Sequence, residues 1–162
     1  EILSETIQIV VMILMIIVGA QAYSQILAFS GATRGLLGLA TALPVAPILI
    51  IVAMQVILLF MGMFIPVVAI MMIAIPIFIP VVLGLGFDPV WFAVIFLLNT
   101  EMATTSPPFG TALFIMKGVA PLDTKMGDIY RAALPFLGCD LIAMILIIAF
   151  PITALWLPSL ML

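Results

Sequence analysis

Histidine is absent from this 162-residue sequence, cysteine occurs once, and charge is scarce, with four Lys or Arg and seven Asp or Glu. Without an imidazole there is no His-based metal site and no His acid–base pair. Cys139 alone cannot close an internal disulfide. The net charge of −3 rests on so few groups that it says nothing of nucleic acid, and no nucleic-acid partner is expected. No Ser/Asp dyad pattern and no metal-ligand spacing stand out, so an enzyme is not expected. Apolar residues fill the space instead: 67% of the chain is hydrophobic and 7% charged, far outside the range of soluble domains. The composition is that of an integral membrane protein. A span takes about 20 residues, so this length allows roughly five passages, re-entrant ones included.

The polar residues that do occur gather in one place. Asn99-Thr100-Glu101-Met102-Ala103-Thr104-Thr105-Ser106-Pro107-Pro108-Phe109-Gly110-Thr111 lies inside an otherwise apolar run. Neither proline has an amide hydrogen, so the carbonyls of Ala103 and Thr104 lose their helical donors. Ser106 and Pro107 each precede a proline and are pushed out of the α region. Gly110 then gives the backbone freedom before a second short helix opens at Thr111. The expected result is a broken helix with oxygens that lipid cannot satisfy, which must face protein, water or an ion. In secondary transporters such breaks bring carbonyls to cations and half-helix N-termini to anionic substrates. Ala103, Thr104, Thr105, Ser106 and Gly110 are therefore the candidate cation site, and Pro107, Pro108 and Thr111 the candidate substrate end. A kink satisfied by neighbouring helices is the structural alternative.

Along the chain, 7–29 reads as the first span, with Gln21, Ser24 and Gln25 on one face that meets protein. Residues 30–35 read as a loop and 36–43 as an interfacial segment. The second span starts at Pro44 or Pro47 and ends near Phe64. Residues 65–86 contain Pro66, Pro76 and Pro80, and either cross or dip and return as a hairpin. The basic residues Arg34, Lys117, Lys125 and Arg131 fall on one side only with the hairpin, so positive charge favours it. Its tip would be Ala74-Ile75-Pro76-Ile77. Asp88-Pro89 opens the broken span, and 121–128 form a polar loop. An interfacial helix over 129–136 and a last span over 137–156, anchored by Trp156, complete the order. This divides the chain into 1–64, 65–120 and 121–162. Glu101 lies about 20 Å down its helix from Asp88, where a carboxyl is costly. A buried neutral anchor is favoured over a proton carrier. Asp140, early in the last span, snorkels or bonds to the interfacial helix.

Glu101 to Pro121, EMATTSPPFGTALFIMKGVAP, resembles the signature region of the large membrane subunit of TRAP (tripartite ATP-independent periplasmic) transporters. The likeness takes in Met61-Gly62-Met63-Phe64, Ile75-Pro76-Ile77-Phe78-Ile79-Pro80 and Gly127-Asp128-Ile129-Tyr130-Arg131. That family's -TPPxG- element stands here as Ser106-Pro107-Pro108-Phe109-Gly110. Where the family often has an acid before the hairpin's first proline, this chain has Ile65, so any role of that acid does not carry over. The resemblance implies an all-α polytopic subunit of an elevator-type importer in the bacterial inner membrane. It implies coupling to sodium rather than ATP, and a small organic acid delivered by a periplasmic solute-binding protein. Further partners would be a small four-helix membrane subunit and the N-terminal half of the same large subunit, of which this chain is the second inverted repeat. The start at Glu1 and the abrupt apolar opening fit such a piece of a longer polypeptide. The alternatives are another ion-coupled carboxylate symporter working without a binding protein, and an intramembrane assembly subunit with no transport role.

Overall fold

Prolines and glycines punctuate the apolar sequence, and the helices start and stop at them. The computed structural model describes residues 2–42, 44–121 and 123–160, and these hold eight helices and no strand. They are α1 (Ile2–Ser30), α2 (Ala32–Ala42), α3 (Pro47–Gly62), α4 (Val67–Gly84), α5 (Pro89–Thr105), α6 (Thr111–Val119), α7 (Met126–Ala149) and α8 (Ile152–Ser159). Glu1, Leu43 and Leu122, which belong to expected segments, lie outside the described residues. Pro47 and Pro89 stand in the first turn of α3 and α5, where a missing N–H breaks no helical bond. Asp88 caps α5 by accepting from the amides of Val90 (2.7 Å) and Trp91 (3.2 Å). Gly86, at φ +82°, supplies the left-handed turn between α4 and α5.

Three expected segments are built differently. The loop over 30–35 shrinks to a turn at Gly31, because α2 begins at Ala32. The interfacial helix and last span are rearranged: α7 runs unbroken through Pro135, and the chain turns at Phe150-Pro151 into α8. The third concerns 65–86, which is no hairpin. α4 continues through Pro76 and Pro80, and Ala74, Ile75, Pro76 and Ile77 lie in mid-helix rather than at a tip.

The direction of the neighbouring helices requires this. Gln55 of α3 bonds to Asn99 of α5, and Gly62 further along α3 abuts Ala103 further along α5. The two helices therefore run the same way, and α4 must return the full distance between them. Its 18 residues cover about 27 Å at the helical rise, close to the apolar thickness of a bilayer. The α-helical hairpin in this chain is α3–α4, turning at Met63-Phe64-Ile65-Pro66. The carbonyls that Pro76 and Pro80 leave without helical donors lie by α1, where Gln21 and Ser24 line a cavity with Met72, Pro76 and Pro80. Of the polar face expected on α1, Gln21 and Ser24 line this cavity; Ser24 is half-buried, while Gln21 and Gln25 are both exposed.

The core is the seam of α3, α4 and α5, with Ile51, Leu58, Ile70, Val82, Phe92 and Ile95 fully enclosed. α7 runs back along α5, since the Trp91 indole near the start of α5 donates to the Ile147 carbonyl at 2.9 Å. α4 and α7 are long and apolar enough to cross a membrane, and only 6% of the most apolar window of α7 is buried. An apolar helix left this bare is a helix for lipid or for further membrane protein.

Candidate functional site

The helix breaks where the prolines require it. α5 ends at Thr105, and Ser106 is extended (φ −86°, ψ 132°), the conformation favoured before proline. Its amide reaches back to the Ala103 carbonyl at 3.2 Å, so Ala103 keeps a partner and is not the free acceptor expected. Thr104 is different, because Pro108 has no hydrogen to offer it. The Gly110 amide donates to the Ser106 carbonyl at 3.0 Å. A Cβ placed on Gly110 would lie 2.4 Å from the Thr104 oxygen and 2.8 Å from the Ser106 oxygen. Two carbonyl oxygens thus converge on one glycine. Gly110 itself has φ −52° and ψ 118°, open to any residue, so the position needs glycine for space and not for freedom.

The three hydroxyls complete this arrangement. Thr104 donates to the Glu101 carbonyl (2.8 Å), and Thr105 and Ser106 both donate to that of Met102 (3.0 and 2.7 Å). A hydroxyl whose hydrogen is committed to the helix offers only lone pairs outward. Among the described residues no three His, Cys, Asp or Glu side chains gather. A cation held here would have carbonyl and hydroxyl oxygens as ligands, which suits a hard ion. Ser106 and Gly110 are buried, Thr104, Thr105 and Pro107 half-buried, and Pro108, Phe109 and Thr111 exposed.

Glu101, expected as a buried acid, lies on the exposed face of α5 within this chain. Burial on α5 follows Phe92, Ile95, Phe96, Asn99, Met102 and Ala103, a stripe at three- and four-residue spacing that turns Glu101 outward beside Leu97. Asp140 is half-buried on α7.

Four neighbours of the break, Gly62, Phe64, Asn99 and Tyr130, take part in contacts that their places in the sequence do not assign to them. Gly62 allows α3 to approach so closely that a Cβ there would sit 2.4 Å from that of Ala103. The ring of Phe64, in the α3–α4 turn, lies 5.2 Å from that of Phe109 at 42°. The Tyr130 hydroxyl donates to the Pro108 carbonyl at 2.9 Å. Asn99 Nδ2 donates to the main-chain oxygen of Gln55 at 2.6 Å and to its side-chain oxygen at 2.7 Å. The glycine before Phe64-Ile65-Pro66 was the one available signal for the turn. The others arise from long-range contact. Between α6 and α7 the break borders a cavity of about 500 Å³, walled by Thr105, Leu113, Met116, Ile129, Ala133 and Phe136.

The Gln55–Asn99 clasp has a testable consequence. Both side chains are buried, and among the described residues Gln55 Nε2 and Asn99 Oδ1 find no partner. Asn99→Leu strands the Gln55 oxygen as well and is expected to cost about 1–3 kcal/mol of stability. Adding Gln55→Leu removes the stranded group and should restore part of the loss. Thermal unfolding of the detergent-solubilised full-length protein checks this, and strictly additive losses would contradict the clasp.

The family model for the tripartite ATP-independent periplasmic transporter, DctM component, matches residues 1–153. The C4-dicarboxylate TRAP transporter large permease protein DctM of Pseudomonas aeruginosa is 30% identical over 159 residues, covering 98% of this chain and 37% of that protein. The sialic acid TRAP transporter large permease protein SiaM of Vibrio cholerae is 30% identical over 162 residues, covering 100% of this chain and 38% of that protein. The isethionate TRAP transporter permease protein DctMQ of Oleidesulfovibrio alaskensis is 33% identical over 113 residues, covering 70% of this chain and 17% of that protein. The chain therefore spans less than two fifths of the length of each of these relatives. The resemblance carried by the double-proline stretch is borne out, and the chain belongs to the DctM component family of the tripartite ATP-independent periplasmic transporters.

Proposed function

We propose that this chain is part of a membrane permease subunit that imports small organic acids, driven by a sodium gradient. The observation that carries the reading is the convergence of the Thr104 and Ser106 carbonyls on Gly110, at a helix break beside the α3–α4 turn. Sodium is held by these oxygens together with the outward lone pairs of Thr104, Thr105 and Ser106. Ala103 packs against Gly62, and its carbonyl, like that of Ser106, accepts one amide and keeps a second lone pair. The substrate anion lies at the opening of α6, by Pro107, Pro108 and Thr111, where a helix N-terminus favours negative charge. The relatives are named for C4-dicarboxylate, sialic acid and isethionate, all organic anions.

Its partners are the remainder of the large subunit (its N-terminal half), a small four-helix membrane subunit and a periplasmic solute-binding protein. The complex sits in the bacterial inner membrane and moves its transport domain as an elevator, with no enzymatic step. The test is uptake into proteoliposomes containing both membrane subunits and the binding protein. An inward sodium gradient is expected to raise uptake at least about ten-fold, without ATP. Uptake indifferent to sodium would remove the cation site, and uptake undiminished without the binding protein would favour a simple symporter.

A further inference from the structure

We infer that Tyr130 is a positioning residue for the broken helix, an assignment that rests on the reading of the break given above. Its hydroxyl donates to the Pro108 carbonyl at 2.9 Å across 22 residues of chain. Pro108 lies between the two carbonyls that meet at Gly110 and the start of α6. The peptide that follows it is held on two flanks. Its carbonyl is taken by α7, while the ring of Phe109 is packed against Phe64 from the α3–α4 turn. At the far end of α6, the Lys117 ammonium donates to the Thr124 carbonyl. The segment before α6 is thereby tied to α7 and the end of α6 to the loop that leads into α7, and the break is kept open as a defined bend.

The hydroxyl matters more than the ring. A carbonyl that accepts from the phenol has one lone pair committed to α7 and its orientation fixed by that bond. Remove the hydroxyl, and a strong acceptor is left unsatisfied beside a cation site, where it can rotate toward the ion or recruit water. Either change alters the number and spacing of the oxygens that sodium meets. A tyrosine that only fills space between α6 and α7 would tolerate the loss of its oxygen.

Tyr130→Phe separates the two roles. In proteoliposomes containing the full-length permease, the small subunit and the binding protein, the half-saturating sodium concentration is expected to rise about three-fold or more, the scale of one hydrogen bond. The maximal rate per molecule in the membrane should stay within about two-fold. Pro107→Ala/Pro108→Ala is measured alongside. An unchanged sodium midpoint in Tyr130→Phe while the proline variant shifts would overturn the role of Tyr130 and leave the cation site standing. No shift in either variant would overturn the cation site itself. A fall in membrane abundance or maximal rate, with the sodium midpoint fixed, would return Tyr130 to a packing role.

Discussion

Replacing Pro107 and Pro108 together by alanine is expected to raise the half-saturating sodium concentration of the complete transporter by well over ten-fold, with the protein still present in the membrane. The substitution supplies amide hydrogens at both positions, within helical reach of the Ala103 and Thr104 carbonyls. Each proline is disfavoured in a helix interior by about 3 kcal/mol relative to alanine, so about 6 kcal/mol then favours a single helix through α5 and α6. Opposing this are the tie from Tyr130 to the Pro108 carbonyl and that from Lys117 to Thr124. At about 1 kcal/mol each they do not balance it. Fusion commits the Thr104 oxygen to the new amide and swings the Ser106 carbonyl into the helix, which disperses the pair now converging on Gly110. Thr105→Ala should shift the midpoint less, because a hydroxyl only supplements the carbonyls. Initial uptake rate against sodium concentration, normalised to membrane abundance, is the measurement. An unchanged curve in the double variant would reduce the break to a structural kink.

The break is legible because its cause is covalent. Proline lacks a hydrogen whatever surrounds it, and the residue before it is sterically restricted, so two prolines in succession followed by Gly110 strongly disfavour a continuous helix. Pro76 and Pro80 are the same residue type with a different outcome. Within α4 the residues that carry the freed carbonyls, Met72 and Pro76, line a cavity with Gln21 and Ser24 of α1, and the helix carries on. What decides between crossing and returning is the common direction of α3 and α5, a tertiary fact with no local signature. The four basic residues pointed the other way because so small a charge set does not define topology.

The outward face of Glu101 within this chain is hidden from the sequence for a related reason. In a soluble helix the apolar stripe shows which side is covered, whereas α5 is apolar nearly all round, and depth along the helix says nothing of which face meets protein. Asn99, only two residues away, is enclosed, and Glu101 faces out. Tyr130 lay in a segment read as interfacial, and its bond to Pro108 becomes visible only once α7 is known to begin beside the break.

Gly110→Ala should lower the uptake rate at least about ten-fold at saturating substrate and sodium. The added methyl meets backbone and not a side-chain tip. It would lie 2.4 Å from the Thr104 oxygen, 2.8 Å from the Ser106 oxygen and 3.0 Å from the Ser106 nitrogen. Those atoms yield only if the last turn of α5 moves, and that turn is already fixed by Ala103 against Gly62 and by the Ser106 hydroxyl on Met102. Overpacking of this kind costs about 1–3 kcal/mol, and each 1.4 kcal/mol is about a factor of ten in an equilibrium. The oxygens would be pushed apart, so the sodium midpoint should rise together with the fall in rate. Gly118→Ala is the control, since a Cβ at Gly118, further along α6, meets nothing within 4 Å. Alanine is also the better helix former by about 1 kcal/mol, so this variant should keep both rate and midpoint. Membrane abundance of the two variants, read on the same preparations, separates a damaged site from a damaged fold. If Gly110→Ala matches Gly118→Ala in rate and sodium midpoint at equal abundance, the close convergence at Gly110 is not where the ion is held.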